Sequence, residues 1–215
     1  MEKAYVKLTT INGIGSIEFF HPMKNSMPSE LLKKLRKSID KASEDDQIKV
    51  IILKSGGNRV FCAGASFQEL VAIKNKDEGF SFFAGFADVI NAMRQCTKLI
   101  IVRVQGKVVG GGVGIAAAAD YCIASKYADI KLSELNLGMG PFVIAPAIER
   151  KIGLSSFSQL TLDAHKFYPS SWANEKGLFQ NVCDTVEELD ASVLDLARRL
   201  SSYNTEALRN LKNIF

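Results

Sequence analysis

Residues 108–120 read VVGGGVGIAAAAD, three glycines in succession followed by a stretch of almost nothing but small side chains. Glycine loses more backbone entropy on folding than any other residue, so three in a row need a use for bare backbone. Small residues let a helix pack closely on a sheet. Glycine at a helix start also lets a ligand approach the unpaired amide N–H groups and their partial positive charge. A phosphate cradle does not fit: in GKVVGGGVG (106–114) the lysine precedes the glycines, and no GxGxxG spacing is present.

Working outward, a second glycine-bearing loop, FCAGAS (61–66), comes after the apolar strand pattern IKVIILK (48–54). The glycine triplet itself follows LIIVRVQG (99–106). Ligands in parallel sheets bind beyond the carboxyl ends of strands, so both loops are expected to face one site. Two amides converging on one oxygen make an oxyanion hole.

The remaining pattern places strands at 5–10 and 15–20 joined by INGIG, and a helix at 28–42 on the spacing of Leu31, Leu32, Leu35 and Ile39. A helix pair covers 67–95, short strands fall at YCIAS (121–125) and IKL (130–132), and the chain reads as helical from Ile144 onward, most clearly over 186–200. Alternating strands and helices imply an α/β class with parallel crossovers. The strand, strand, helix rhythm occurs over 5–42 and again over 99–119.

The 215 residues suit one domain with a sizeable core. With 47% hydrophobic and 23% charged residues, the composition is that of a globular protein. The longest apolar run, 108–119, is broken by glycines and too short to span a bilayer, and the N-terminus MEKAYVKLTT lacks the apolar core of a signal peptide. A cytoplasmic protein without membrane contact is expected. Cys62, Cys96, Cys122 and Cys183 are far apart, no CxxC pair occurs, and only two histidines are present, so neither a metal site nor a disulfide framework is indicated. The net charge of +4 comes from scattered lysines, which argues against nucleic acid and suits a small anionic molecule.

RVFCAGASFQEL (59–70) and VQGKVVGGGVGIAAAADYCIAS (104–125) resemble the two oxyanion segments of the enoyl-CoA hydratase/isomerase family, also called the crotonase family. ADIKLSELNLGMGP, KIG (151–153) and ANEKGLFQNVCD continue in the family's order. The resemblance implies a spiral of ββα units over 1–185 carrying an acyl-CoA site, with a C-terminal helical segment at 186–215, short for the family because the chain stops at NTEALRNLKNIF. Assembly as a homotrimer or hexamer is implied; either a neighbour's surface completes the pocket, or the chain is cut short and its acyl pocket is partly open. So is an acyl-CoA thioester as partner, with no separate cofactor, since coenzyme A is part of the substrate. By the same resemblance Ala65 and Gly111 supply the oxyanion amides and Glu134 the base, while Ala63, Gly64, Gly110, Gly112, Gly114, Leu137, Pro141 and Phe142 line the substrate.

Hydratases of the family use two glutamates, and the position of the first is Gly114 here. A single base at Glu134 suits an isomerase, which moves a proton from carbon 2 to carbon 4 of an enoyl thioester. Hydration remains the alternative, since glycine at 114 leaves room for a water. Phe142 stands where dehalogenases and dienoyl isomerases carry an aspartate, which disfavours both. A decarboxylase of branched acyl thioesters and a non-catalytic acyl-CoA binder are further alternatives. Ser66 replaces a commonly acidic residue, so an altered loop contact is expected, and residues 71–86 are expected to line the acyl tunnel.

Overall fold

The computed structural model describes residues 3–215. Four ββα units follow one another. Strands β1 (Tyr5–Ile11) and β2 (Ile14–Phe20) precede helix α1 (Ser29–Glu44). Next come β3 (Val50–Ser55) and β4 (Val60–Cys62) with α2 (Phe67–Ala72) and α3 (Lys76–Gln95), then β5 (Leu99–Val104) and β6 (Lys107–Val109) with α4 (Gly111–Ala118). The fourth unit is β7 (Tyr121–Ser125), β8 (Ile130–Lys131), a 3-10 turn at Glu134–Leu137 and α5 (Ala145–Leu162). The chain closes with α6 (Ser170–Glu175), β9 (Asn181–Cys183), α7 (Val186–Ser202) and α8 (Thr205–Ile214).

The units wind as a spiral because each of the last three places its first strand in one sheet and its second in another. The large sheet runs β1-β2-β3-β5-β7-β9, parallel except for the β1–β2 hairpin, and the small sheet runs β4-β6-β8, all parallel. Asn12 and Gly13, both at positive φ, make the hairpin turn.

Three-residue β4 and β6 and two-residue β8 form a sheet of their own, so the glycine loops lie at its carboxyl edge and not directly behind β3 and β5. Residues 144–200 are also not continuously helical, because β9 extends the large sheet by pairing with β7. A strand of three residues carries too little alternation to stand out from its surroundings.

The large sheet is buried on both faces. Ile51, Leu53, Ile100 and Val102 point into the main core with α1, α3 and α4, while Val50, Ile52, Leu99 and Ile101 point to the opposite face, where α7 and α8 lay Leu189, Val193, Ala197 and Leu208. Helix α7 starts on a capping box, with Thr185 and Glu188 satisfying each other's backbone amides. Among the described residues no helix is long and apolar enough to cross a membrane.

Helix α8 is held by a buried ion pair. Lys212 Nζ lies 2.9 and 2.7 Å from the two carboxylate oxygens of Asp120 and 2.9 Å from the Met93 carbonyl, and Asp120 Oδ2 also accepts the Ile100 amide at 2.7 Å. Removing one member of such a pair strands the other charge. Lys212→Met is therefore expected to cost about 3–5 kcal/mol, read as a lower urea midpoint; an unchanged midpoint would show that the ion pair contributes nothing to stability.

Candidate active site

All three strands of the small sheet end at one place. Strand β4 leads into Ala63-Gly64-Ala65, β6 into the glycine triplet, and β8 into the turn that starts at Glu134. Neighbouring strands lie about 4.8 Å apart, so three consecutive strand ends bring these segments side by side. The Gly110 amide donates to the Lys131 carbonyl at 2.9 Å, tying the second loop to β8. Gly64, at φ 86°, lies against the second loop: a Cβ placed on it would stand 3.2 Å from the Val109 carbonyl oxygen and 3.8 Å from the Gly111 nitrogen.

The first loop is also braced from below. Its Gly64 carbonyl accepts the Met27 amide at 2.8 Å. Buried Asn25, at φ 55°, donates through Nδ2 to the carbonyls of Gly56 and Val60 at 2.8 and 2.9 Å. Sequence reading passed over Asn25; asparagine tolerates the left-handed region better than most residues, and the run KNSMP ahead of a helix was the available signal. Ser66 caps α2 by accepting the Glu69 amide at 3.3 Å, and Glu69 in turn accepts the Ser29 amide and hydroxyl at 2.9 and 2.7 Å. Ser66 thus caps α2, and the Glu69 carboxylate fastens α2 to the start of α1.

Each glycine of the triplet is bare for its own reason. A Cβ on Gly110 would meet Glu134 Oε1 at 2.9 Å, and its φ of 54° is left-handed. On Gly111 it would stand 2.3 Å from the Phe86 ring, and on Gly112 it would stand 2.7 Å from Cys62 Cβ. As the first residue of α4, Gly111 has no acceptor for its N–H within the helix. Among the described residues no backbone carbonyl takes the Gly111 or the Ala65 amide.

Loops and turn enclose a cavity of about 240 Å³. Of the residues named from sequence, Ala63, Gly64, Ala65, Gly110, Gly111, Glu134, Leu137, Pro141 and Phe142 line it together. Gly112 and Gly114 do not: the first packs on Cys62, and a Cβ on the second would stand 2.6 Å from Ile144 Cγ2 and 3.1 Å from Ile90 Cδ1. Two isoleucines thus occupy the space beside Gly114 that was expected to admit a water. Of residues 71–86, expected to line the acyl tunnel, Phe82, Phe83 and Phe86 of α3 reach the cavity while Phe80, Ser81, Ala84 and Gly85 face another surface; Phe67 and Leu70 of α2 and Val143 and Ile144, which the sequence does not single out, join the lining.

Among the described residues, Glu134 is the cavity's sole ionisable side chain. Its Oε2 is buried without a hydrogen-bond partner among the described residues. Burial pushes the carboxyl above its ordinary 4.5, opposed in part by the Glu134 and Ser133 amides. Gly138, at φ 73°, closes the turn with its amide on the Leu135 carbonyl at 3.0 Å, which fixes the direction from which Glu134 projects. Cys62 is fully buried and its thiol is pushed up to about 12 by desolvation, so it is a packing group and not a nucleophile. His21 braces its own turn, with Nδ1 3.3 Å from the Met23 amide and 3.1 Å from Ser26 Oγ. Trp172 packs on Tyr168. Among the described residues no three His, Cys, Asp or Glu side chains are grouped as metal ligands.

A spiral of ββα units whose small sheet ends in two glycine-bearing loops and one buried carboxylate around an apolar cavity defines the crotonase class of fold. A crystal structure assigned to the enoyl CoA hydratase/isomerase (crotonase) group from Legionella pneumophila superposes with a TM-score of 0.92 at 28% identity, covering 99% of this chain and 82% of that one. The chain belongs to the enoyl-CoA hydratase/isomerase family, whose pattern it matches over residues 9–215. It is 30% identical over 193 residues to mitochondrial methylglutaconyl-CoA hydratase of Mus musculus, covering 88% of this chain and 61% of that protein. It is 24% identical over 212 residues to trans-2-decenoyl-(acyl-carrier-protein) isomerase of Streptococcus mutans, covering 93% and 78%. The chain thus spans about three-fifths of the length of the mouse hydratase.

The contact between Gly111 and Phe86 gives a direct test. Gly111→Ala is expected to cost about 1–3 kcal/mol through overpacking, and the Phe86→Leu background should recover a good part of that loss. Additive losses in a double-mutant cycle would show that the ring is not what keeps position 111 bare.

Proposed function

We propose that the protein isomerises enoyl thioesters with Glu134 as its single base and the Ala65 and Gly111 amides as its oxyanion hole. The observation that carries this reading is the Glu134 carboxylate, seated on Gly110 with Oε2 unpartnered in a cavity that has no other ionisable group. A base of this kind takes the proton from carbon 2 of a 3-enoyl thioester. The electron pair moves onto the thioester oxygen as a dienolate, which two amides at that oxygen stabilise by about 3 kcal/mol each. The same carboxyl then returns a proton at carbon 4, leaving the double bond between carbons 2 and 3. One C–H bond breaks, one forms, and no water is consumed.

Hydration would need a second group to hold and deprotonate water. The wall beside Gly114 is Ile144 and Ile90, which offer a water none of the polar partners it requires. Coenzyme A thioesters are the proposed substrates, in keeping with the family. A trimer or a dimer of trimers is the proposed assembly, supported by the exposed apolar rim of Phe67, Leu137 and Phe142 at the cavity mouth.

Turnover of 3-enoyl-CoA and 2-enoyl-CoA, followed by absorbance, tests the reading. The 3-enoyl substrate should be converted, and Glu134→Gln should lose about 10²–10⁴-fold in rate; hydration of the 2-enoyl substrate, or a fully active Glu134→Gln, would overturn it. The active form needs Glu134 ionised, so the acid limb of the rate profile should lie above 4.5, the ordinary carboxyl value.

Stability should move the other way. A carboxyl raised in the folded state favours folding below its ordinary pKa, and that contribution is lost as pH rises through the folded value. At neutral pH Glu134→Gln should therefore melt higher than the unaltered chain while being inactive. A lower melting temperature would indicate a structural role for the carboxylate.

A further inference from the structure

We infer that the cavity takes thioesters whose acyl group is hydrocarbon to its end and rejects acyl groups ending in a carboxylate. This rests on the acyl-thioester reading above and narrows it. Of the twenty residues lining the cavity, Glu134 and Ser133 alone carry polar side chains, and none is lysine, arginine or histidine. The deep wall is Phe82, Phe86 and Ile144, each less than a tenth exposed.

The strands that build the site do carry cations, and these are turned away from it. Lys107 of β6 and Lys131 of β8 both lie over the Phe167 ring, with Nζ 4.7 and 5.4 Å from its centre, and Lys131 Nζ also donates to the His165 carbonyl at 3.1 Å. Phe167 is not among the lining residues. A substrate carboxylate entering this cavity would lose its hydration, find no counter-ion and share a small space with Glu134. Two carboxylates so placed resist simultaneous ionisation, and an unpaired charge in an apolar site is expensive. The mouse relative is named for methylglutaconyl-CoA, whose acyl group ends in a carboxylate; the lining here offers such a group nothing to pair with.

Binding separates this inference from the isomerase reading, because saturated thioesters cannot isomerise. The unaltered chain is titrated at neutral pH with octanoyl-CoA and with its ω-carboxylated counterpart of equal length. The hydrocarbon thioester should bind on the order of 100-fold tighter, and shortening it should weaken binding about fourfold per methylene removed. Leu70→Arg, which places a cation on the lining from the half-exposed face of α2, should narrow the ratio at least tenfold by improving binding of the carboxylated thioester. Should that variant not fold, acidification decides: protonating the ω-carboxyl should close the gap for the unaltered chain. Equal or tighter binding of the carboxylated thioester, or failure of both to bind, overturns the inference. A preserved binding preference with no turnover of 3-enoyl-CoA would sink the isomerase reading alone.

Discussion

The seat of Glu134 on the α-carbon of Gly110 is the contact around which the site is organised. It places a carboxylate oxygen where any side chain at position 110 would stand, 2.9 Å from an added Cβ. Because Gly110 also donates its amide to Lys131 three residues before Glu134, the carboxylate and the start of α4 are held as one unit by main-chain geometry. Gly111 and Gly112 extend the same constraint in other directions, the first toward the Phe86 ring and the second toward Cys62. The helix start is therefore fixed from the cavity side, from α3 and from β4. On the proposed reading this matters, because an amide aimed at a developing charge is effective only if it need not reorganise when that charge appears.

This arrangement costs stability, and the rest of the fold offsets it. A buried carboxylate oxygen without a partner and two loops at left-handed glycines, Gly64 and Gly110, are each unfavourable alone. Helix α4 is buried along its whole length, which its small side chains permit, and so contributes apolar contact on every side. At its far end Lys151 donates to the Ala119 carbonyl at 2.8 Å, and Asp120 anchors Lys212. These cations sit where the helix presents its partial negative charge. The same helix is thus positively polarised at the cavity and neutralised at the opposite end.

How much of this was legible in sequence follows from the physics of each element. The hairpin β1–β2, helix α1 and the long strands β3 and β5 showed because periodicity over six or more residues leaves a pattern. Of the small sheet, β8 showed as IKL (130–132), while β4 and β6 did not, since they are three residues long and their identity depends on pairing with their neighbours. The two loops and Glu134 were readable as ordered motifs, and the structure brings their lining residues to one cavity. What the motifs could not tell was direction. Gly112 and Gly114 lie within four residues of Gly110, yet a helix turns them away from the cavity into Cys62, Ile90 and Ile144. Ile144 in particular lies thirty residues further along the chain, and its packing on Gly114 is a tertiary fact that no local pattern encodes.

The division of labour between elements bears on what can vary independently. Ala65, Gly111 and Glu134 stand at the ends of three adjacent strands, where sheet spacing sets their separation. The side chains that shape the cavity come mainly from α2, α3 and the segment before α5, which pack over those ends without belonging to the sheet. Substituting Phe82 or Leu70 would reshape or recharge the cavity and leave the strand ends where they are. Phe86 is the exception, because it both lines the cavity and presses on Gly111. The shape of the cavity is therefore free to change along most of α2 and α3, and is coupled to the Gly111 backbone at that one ring.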